Sequence, residues 1–586
     1  MEFRRCHAAR RFVWPLAVFV STVTLLASYS PAFVTGEPRP PHDLAPEKFR
    51  AFLPKLTGRT RIIVARSMGI AEMGGRRMPR ATASYKYPHK RLTDMNLGAD
   101  PNADGNEGTI TANPLNKKYI VAGNVVFPVE VPGVGDRYRC AVYRSTDEGK
   151  HFSNAIELPT LAPETSCHHP GLTYSPDGNR AYAVYMDVKP FFSGGSDIVV
   201  SYSDDNGLSW IGPQVILDGG QLGPGTPFIF YDNPAISVPI EQGESNWVYV
   251  TATKMVTATG TADAACQIVF TRSATMGASF DPQTLLETSV SCGDLPGTPV
   301  LQGSKPAGGL AHGVLAAWYS SGADGWLAGS FEIHTRFSAD NGASWGLIIN
   351  AAVDAFEAPQ YLGPNACYQE WWGVMFPDVM IDGDGRAHLV YTHDPVPQAA
   401  PGFVNPSPED GDVRYVISAA APYGIGSWAA PVTVNDDYVT KDKKGVGSPP
   451  RQERAQGNAV LATEEEGEKI TLHAVWEDHR LSPPVSTEGC PDSSNLKYDI
   501  FYARIDHVEK MSKPVNPKEI TWSINYRVSD ISSTNAAALS ISPPGLDKLA
   551  HGPDLYAIWT DRRAATSIYY EDNDTYVSRV AKKGGF

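Results

Sequence analysis

Three short segments hold the residue types best suited to chemistry: "SCHHPG" at 166–171, "FYDNP" at 230–234 and "CYQEWWG" at 367–373. An imidazole can take and return a proton near neutral pH, so His168 and His169 are candidate bases or, alternatively, caps for the strand that follows. Asp232 is either a reactive carboxylate or the acceptor of an Asx turn, and Tyr231 stands beside it as a ligand contact. Glu370 is a candidate general acid or base once burial raises its pKa. Trp371 and Trp372 offer a stacking surface for a sugar ring, or else plug a gap in the fold. The pairs in "WEDHR" (476–480) and "WTDRR" (559–563) set Asp478 beside Arg480 and Asp561 beside Arg562. Each reads as a repeated structural ion pair or as a cationic contact for a ligand.

These residues need a scaffold that brings distant segments together, and the chain carries a repeat of suitable size. Short apolar strands such as "HPGLTYSP", "DNPAISVP" and "GNAVLATEEEG" are each followed by a second strand: "AYAVYMD", "WVYVTATKM" and "ITLHAVWEDHR". Alternation with period two, strand lengths of five to eight and intervening turn residues predict antiparallel sheets. Seven such units run from about residue 105 to 580. The expectation is an all-β chain: a β-propeller of four-stranded antiparallel blades, seven in number with six as the other count. A segment around "HKRLTDMNL" is expected to pair with the last unit.

The turns after the third strands read "STDEGKHF", "SDDNGLSW", "SATMGASF" and "SADNGASW". Asp accepts backbone N–H groups within a tight turn, Gly takes positive φ, and the aromatic packs between sheets. This pattern resembles the Asp box, or BNR repeat, of the sialidase superfamily. The resemblance implies that Asp147, Asp205 and Asp340 are structural and mark the face opposite any active site. Thr275 replaces Asp in one copy, which agrees with that role, since a hydroxyl cannot do a carboxylate's proton chemistry. A sialidase is also expected to hold three arginines around a substrate carboxylate. Here "EGTITANP" puts Glu107 where the first arginine belongs, leaving Arg451, Arg454, Arg480 and Arg562 as cationic candidates without a residue-by-residue match.

Composition bounds the function. A formal net charge of −14 opposes general nucleic-acid or anionic-membrane binding. The arginines at positions 4, 5, 10 and 11, followed by "FVWPLAVFVSTVTLLA", read as an export signal over 1–32. Residues 33–100 read as a linker or propeptide, and 101–586 as the repeat domain. Six cysteines remain after the signal, an even number suited to an oxidising compartment, with Cys140–Cys167 and Cys266–Cys292 as plausible local pairs. No cofactor is expected; calcium or another hard cation is the candidate for the loop aspartates, and "DPNADGNEG" only loosely resembles a calcium loop. The chain is thus expected to be a secreted monomer, free of nucleic acid and membrane, that hydrolyses extracellular glycans. A non-catalytic glycan- or protein-binding domain and a polysaccharide lyase are the alternatives.

Overall fold

In the computed structural model the described residues are 95–97, 104–116, 118–131, 135–189, 195–221, 228–239, 242–256, 265–288, 301–308, 312–321, 331–352, 377–393, 412–436, 456–466, 468–478, 480–481, 497–530, 533–534, 545–546, 555–561 and 574–580. They contain β-strands and a few single 3-10 turns. The expected signal and most of the expected linker lie outside them.

The short β1 (Met95–Asn96) is followed by the first complete sheet: β2 (Asp104–Ala112), β3 (Ile120–Val131), β4 (Gly135–Ser145) and β5 (Ile156–Glu157). The next is nine-stranded: β6 (Ser166–Tyr174), β7 (Ala181–Val188), β8 (Ser196–Ser203), β9 (Ile211–Leu217), β10 (Gly220–Gln221), β11 (Phe228–Ser237), β12 (Val248–Val256), β13 (Ala265–Ser273) and β14 (Thr284–Thr288). A four-stranded sheet holds β15 (Leu301–Gly308), β16 (Val314–Ser321), β17 (Phe331–Ser338) and β18 (Ile349–Ala352). Another holds β19 (Asp378–Ile381), β20 (Ala387–His393), β21 (Asp412–Ser418) and β22 (Val432–Thr433). The fifth contains β23 (Gln456–Glu466), β24 (Lys469–Asp478), β25 (Lys497–Ile505), β26 (Tyr526–Arg527) and β27 (Ser533–Thr534). In the last, β28 (Gly545–Leu546) and β29 (Leu555–Asp561) join β30 (Asp574–Val580), whose outer neighbour is β1. Met95 there lies opposite Val577.

The expected closed propeller of seven equal blades is corrected by these sheets. The described strands form six sheets of unequal size, and none closes into a barrel, a solenoid or a propeller. The inequality has a local cause. Ser196 Oγ accepts the Tyr231 N–H at 2.8 Å and donates to the Tyr231 carbonyl at 2.5 Å. With the parallel pairing of Phe230 and Ser196, this stitches β8 to β11 and merges two sequence repeats into one nine-stranded sheet.

Apolar side chains fill the spaces between successive sheets. Val121, Cys140 and Val142 of the first sheet meet Leu172, Ala183 and Tyr185 of the second. A core of Ile110, Ala122, Tyr143, Tyr556, Ile558 and Val577 joins the last sheet to the first. Trp318, Trp476 and Trp559 occupy matching places on the second strands of three sheets and are fully buried. At ~25 cal/mol per Å² and ~200 Å² of ring surface, each contributes up to about 5 kcal/mol of apolar burial.

The repeated Ser-x-Asp turns pin one end of these sheets. In the second copy, Ser203 Oγ donates to Asp205 at 2.8 Å and accepts the Gly207 N–H at 2.7 Å. Asp205 Oδ1 also accepts the N–H groups of Leu208 and Ser209 at 3.0 and 2.9 Å. Gly207 has φ +86°, and a Cβ there would sit 2.7 Å from Val121 Cγ2 of the preceding sheet, so glycine alone permits this approach. Burial opposes ionisation of Asp147, but hydrogen bonds from His151 and Ser145 hold its pKa at about 2. These carboxylates are committed to their turns.

Candidate functional site

Strand register locates the end of the sheets away from those turns. Along one row Cys167 lies opposite Asp187 and Asp187 opposite Asp197, whereas Tyr174, Ala181 and Ser203 share a row at the turn end. "SCHHPG" and "FYDNP" therefore stand at the far end, on β6 and β11.

Both segments break their ladders in the same way. Pairing jumps from His168 to Gly171 on β6 and from Asp232 to Ala235 on β11. Comparable shifts occur on β2 between Asn106 and Thr109, on β15 between Gln302 and Lys305, and on β23 between Gly457 and Val460. The interruption is a shared β-bulge of first strands, a device that re-aims side chains near functional sites. Pro170 and Pro234 fit here because a bulge spares the ladder N–H that proline lacks. The residues before them, His169 and Asn233, have φ values of 48° and 49°. Left-handed backbone at a non-glycine costs on the order of 1–3 kcal/mol, and a following proline disfavours helical backbone further. Both bulges hold that strain side by side.

Their side chains meet. His169 Nε2 lies 3.5 Å from Asp232 Oδ1, with Asp232 fully buried and the imidazole 12% exposed. Asp232 Oδ1 also accepts the N–H of Asn233 at 2.9 Å. This fixes the carboxylate against the bulge, so it can orient the ring. Tyr231 is buried and donates its hydroxyl to Gln283 at 3.0 Å; burial first, then the Asp218 charge, pushes its pKa to about 12. Of the sequence candidates, the structure thus brings Asp232 and His169 together, while the Tyr231 hydroxyl is held by Gln283.

His168 points elsewhere. Its buried ring packs against Tyr138 of β4, with centroids 4.8 Å apart. The Cys140–Cys167 disulfide, whose Cα atoms are 5.4 Å apart, ties β4 to β6 beside this contact. Cys266 is also disulfide-bonded, and Cys292 lies outside the described residues.

Arg480 occupies a different neighbourhood. Its Nη2 donates to Asp478 at 2.6 Å and to Asn525 at 2.9 Å, and Nη1 to Asp436 at 3.0 Å. Its guanidinium carbon lies 4.2 Å from the centre of the Phe501 ring, and Asp478 accepts the Trp476 indole N–H at 2.9 Å. These contacts make it a buried brace between segments. Glu370, Trp371, Trp372, Arg454 and Arg562 lie outside the described residues. So do residues 100–103 of "DPNADGNEG", and among the described residues no group of three or more His, Cys, Asp or Glu could hold a metal ion. Also among the described residues, no helix is long and apolar enough to cross a membrane.

Sequence reasoning missed the bulges and the residues they recruit: Arg137, Tyr138, Thr165, Ser196 and Asn233. A signal for the bulges is present, since Pro after His or Asn inside two otherwise regular strands conflicts with a continuous ladder.

No protein-family profile matches this sequence. No curated protein matches it either. Solved structures of similar shape include a Hadza microbial sialidase, 10% identical with a TM-score of 0.40 and 65% of each chain covered. The chain thus spans about two thirds of that protein's length. An α-L-arabinofuranosidase of Fusarium graminearum, in complex with arabinobiose, is 11% identical with a TM-score of 0.41, over 84% of this chain and 98% of that one. A Trypanosoma rangeli sialidase is 11% identical with a TM-score of 0.35, over 73% of this chain and 56% of that one. No site residue is transferred from them.

Proposed function

We propose that this chain is an exported glycan-acting enzyme, a glycoside hydrolase, working at the bulged end of its first strands. The contact between His169 and Asp232 carries the reading: a part-exposed imidazole held by a fully buried carboxylate, both on strained bulges. In this arrangement Asp232 fixes the ring's orientation, and the nitrogen remote from it, Nδ1, exchanges a proton with the glycosidic oxygen or with water. Glu370 is retained as the second acid or base, with Trp371 and Trp372 as sugar platforms. The Cys140–Cys167 disulfide suits an oxidising compartment and supports export.

A second reading, a polysaccharide lyase, is favoured by one observation: the part-exposed member of the pair is an imidazole and not a carboxylate. Purified protein on a panel of polysaccharides separates the two. Hydrolysis yields new reducing ends without ultraviolet absorbance; elimination yields an unsaturated, absorbing sugar. Under either chemistry His169→Ala and Asp232→Asn lower kcat by at least about 100-fold, the scale of a positioned acid–base group. Full activity in both variants refutes the assignment.

A further inference from the structure

Arginines 137, 386 and 480 are the buried ones among the described residues, at 2%, 1% and 3% exposure. Two of them hold carboxylates: Arg386 contacts Asp384 at 2.5 Å, and Arg480 contacts Asp478 at 2.6 Å. Arg137 has no such partner among the described residues. Its Nη1 makes one long contact, 3.5 Å, to the Thr165 carbonyl, and its buried Nε has no acceptor. Two residues on, Arg139 does have a carboxylate partner, Glu157. Carboxylates are not scarce in a chain with 64 acidic and 50 basic residues. A guanidinium kept from water without a counter-charge is costly, and proteins ordinarily avoid it.

Its location gives the exception a purpose. Arg137 lies near the start of β4, at the bulged end of the sheets and away from the Ser145 turn. Its neighbour Tyr138 packs on His168, and its acceptor Thr165 directly precedes β6. The disulfide between Cys140 and Cys167 locks β4 to β6 within three residues of Arg137. The guanidinium is therefore held at a fixed offset from the segment that carries His169.

We infer that Arg137 receives an anionic group of the glycan, a uronate carboxylate or a sulfate ester, and so sets the substrate class of the site. The inference rests on the glycan-acting reading. A planar guanidinium offers paired donors that match either anion. Because so little of Arg137 is exposed, the anion meets one edge of a group whose remainder the protein already encloses. The net charge of −14 repels acidic polymers at long range, so recognition depends on this local cation.

The test compares wild type, Arg137→Met and Arg137→Lys by isothermal titration with a glucuronate-containing disaccharide, galactose 6-sulfate and glucose. Wild type is expected to bind one anionic probe at least tenfold more tightly than glucose, and the preferred probe tells carboxylate from sulfate. Arg137→Met is expected to abolish that preference, with Arg137→Lys retaining part of it. Without ligand, Arg137→Met should melt at or above the wild-type temperature, because it no longer buries a charge that lacks a carboxylate among the described residues; a merely structural arginine would melt lower. Equal binding of all probes to wild type, or an unchanged preference in Arg137→Met, overturns the inference. Turnover by His169→Ala on the polysaccharide panel is the separate control. Its loss beside unchanged anion binding in Arg137→Met defeats this inference alone, whereas full turnover by His169→Ala defeats the catalytic reading.

Discussion

His334 links two sheets through charge, and the link should depend on pH. Its Nδ1 lies 2.8 Å from Glu287 Oε2 on β14, and its Nε2 lies 2.7 Å from Glu332 Oε2 on its own strand. The Trp318 indole donates to the same Glu287 oxygen at 2.5 Å, and Arg336 donates to the Leu286 carbonyl at 2.8 Å, so three side chains clamp β14 onto the next sheet. Burial alone would lower the His334 pKa, but Glu287 and then Glu332 outweigh it and raise it above the ordinary value. A histidine with a raised folded pKa lends stability that is complete below its unfolded pKa, about 6.5, and disappears as pH climbs through the folded value. His334→Phe keeps the edge-on packing against Trp318 but removes both donors. A charge-assisted hydrogen bond is worth ~1.5–3 kcal/mol, and the Glu332 share is reduced because that side chain is 47% exposed. The loss should be about 2–3 kcal/mol at pH ~6 and well under half of that at pH ~9. Thermal unfolding of both proteins across this range measures it. A deficit equal at both ends would mean that His334 acts by packing alone, and a deficit that grew with pH would reverse the sign and refute the argument.

Other substitutions probe the frame. Arg480→Met strands the fully buried Asp478, so it should destabilise by about 3–5 kcal/mol, while Arg480→Met with Asp478→Leu recovers much of that in urea unfolding. Asp205→Ala removes the acceptor for two backbone N–H groups and should cost about 1–2 kcal/mol at neutral pH. Its hydrogen bonds, working against burial, depress the Asp205 pKa, so its contribution should fade as pH falls through the folded value, making the Ala variant and wild type converge in acid. Replacing Cys140 and Cys167 by Ser opens a loop of separation 27, worth about 3.5 kcal/mol in the chain-entropy estimate. Differential scanning calorimetry would register that loss, and equal melting would remove the disulfide from the account of β4 and β6.

Much of the scaffold could be read from local pattern. The strands at "AYAVYMD", "WVYVTATKM" and "ITLHAVWEDHR" lie where period-two alternation puts them, on β7, β12 and β24. The Ser-x-Asp turns were legible because every partner of Asp205 lies within four residues of it. The count and closure of the sheets were not. A hydroxyl of Ser196 bonding the backbone of Tyr231, 35 residues away, fuses two repeats that look independent in sequence.

The site divides along the same line. Residue type alone nominated His169 and Asp232, since imidazole and carboxylate carry proton chemistry wherever they stand, and Tyr231 as a ligand contact. Only the tertiary structure decided that His169 and Asp232 meet, that His168 turns towards Tyr138, and that Arg137 is buried with no carboxylate partner among the described residues. Turn chemistry and strand alternation are set by neighbours a few residues apart, which a sequence displays directly. Partnership between side chains 63 residues apart, and the desolvation of a lone charge, depend on how sheets stack and on two bulges that redirect the chain, and those exist only once the fold has formed.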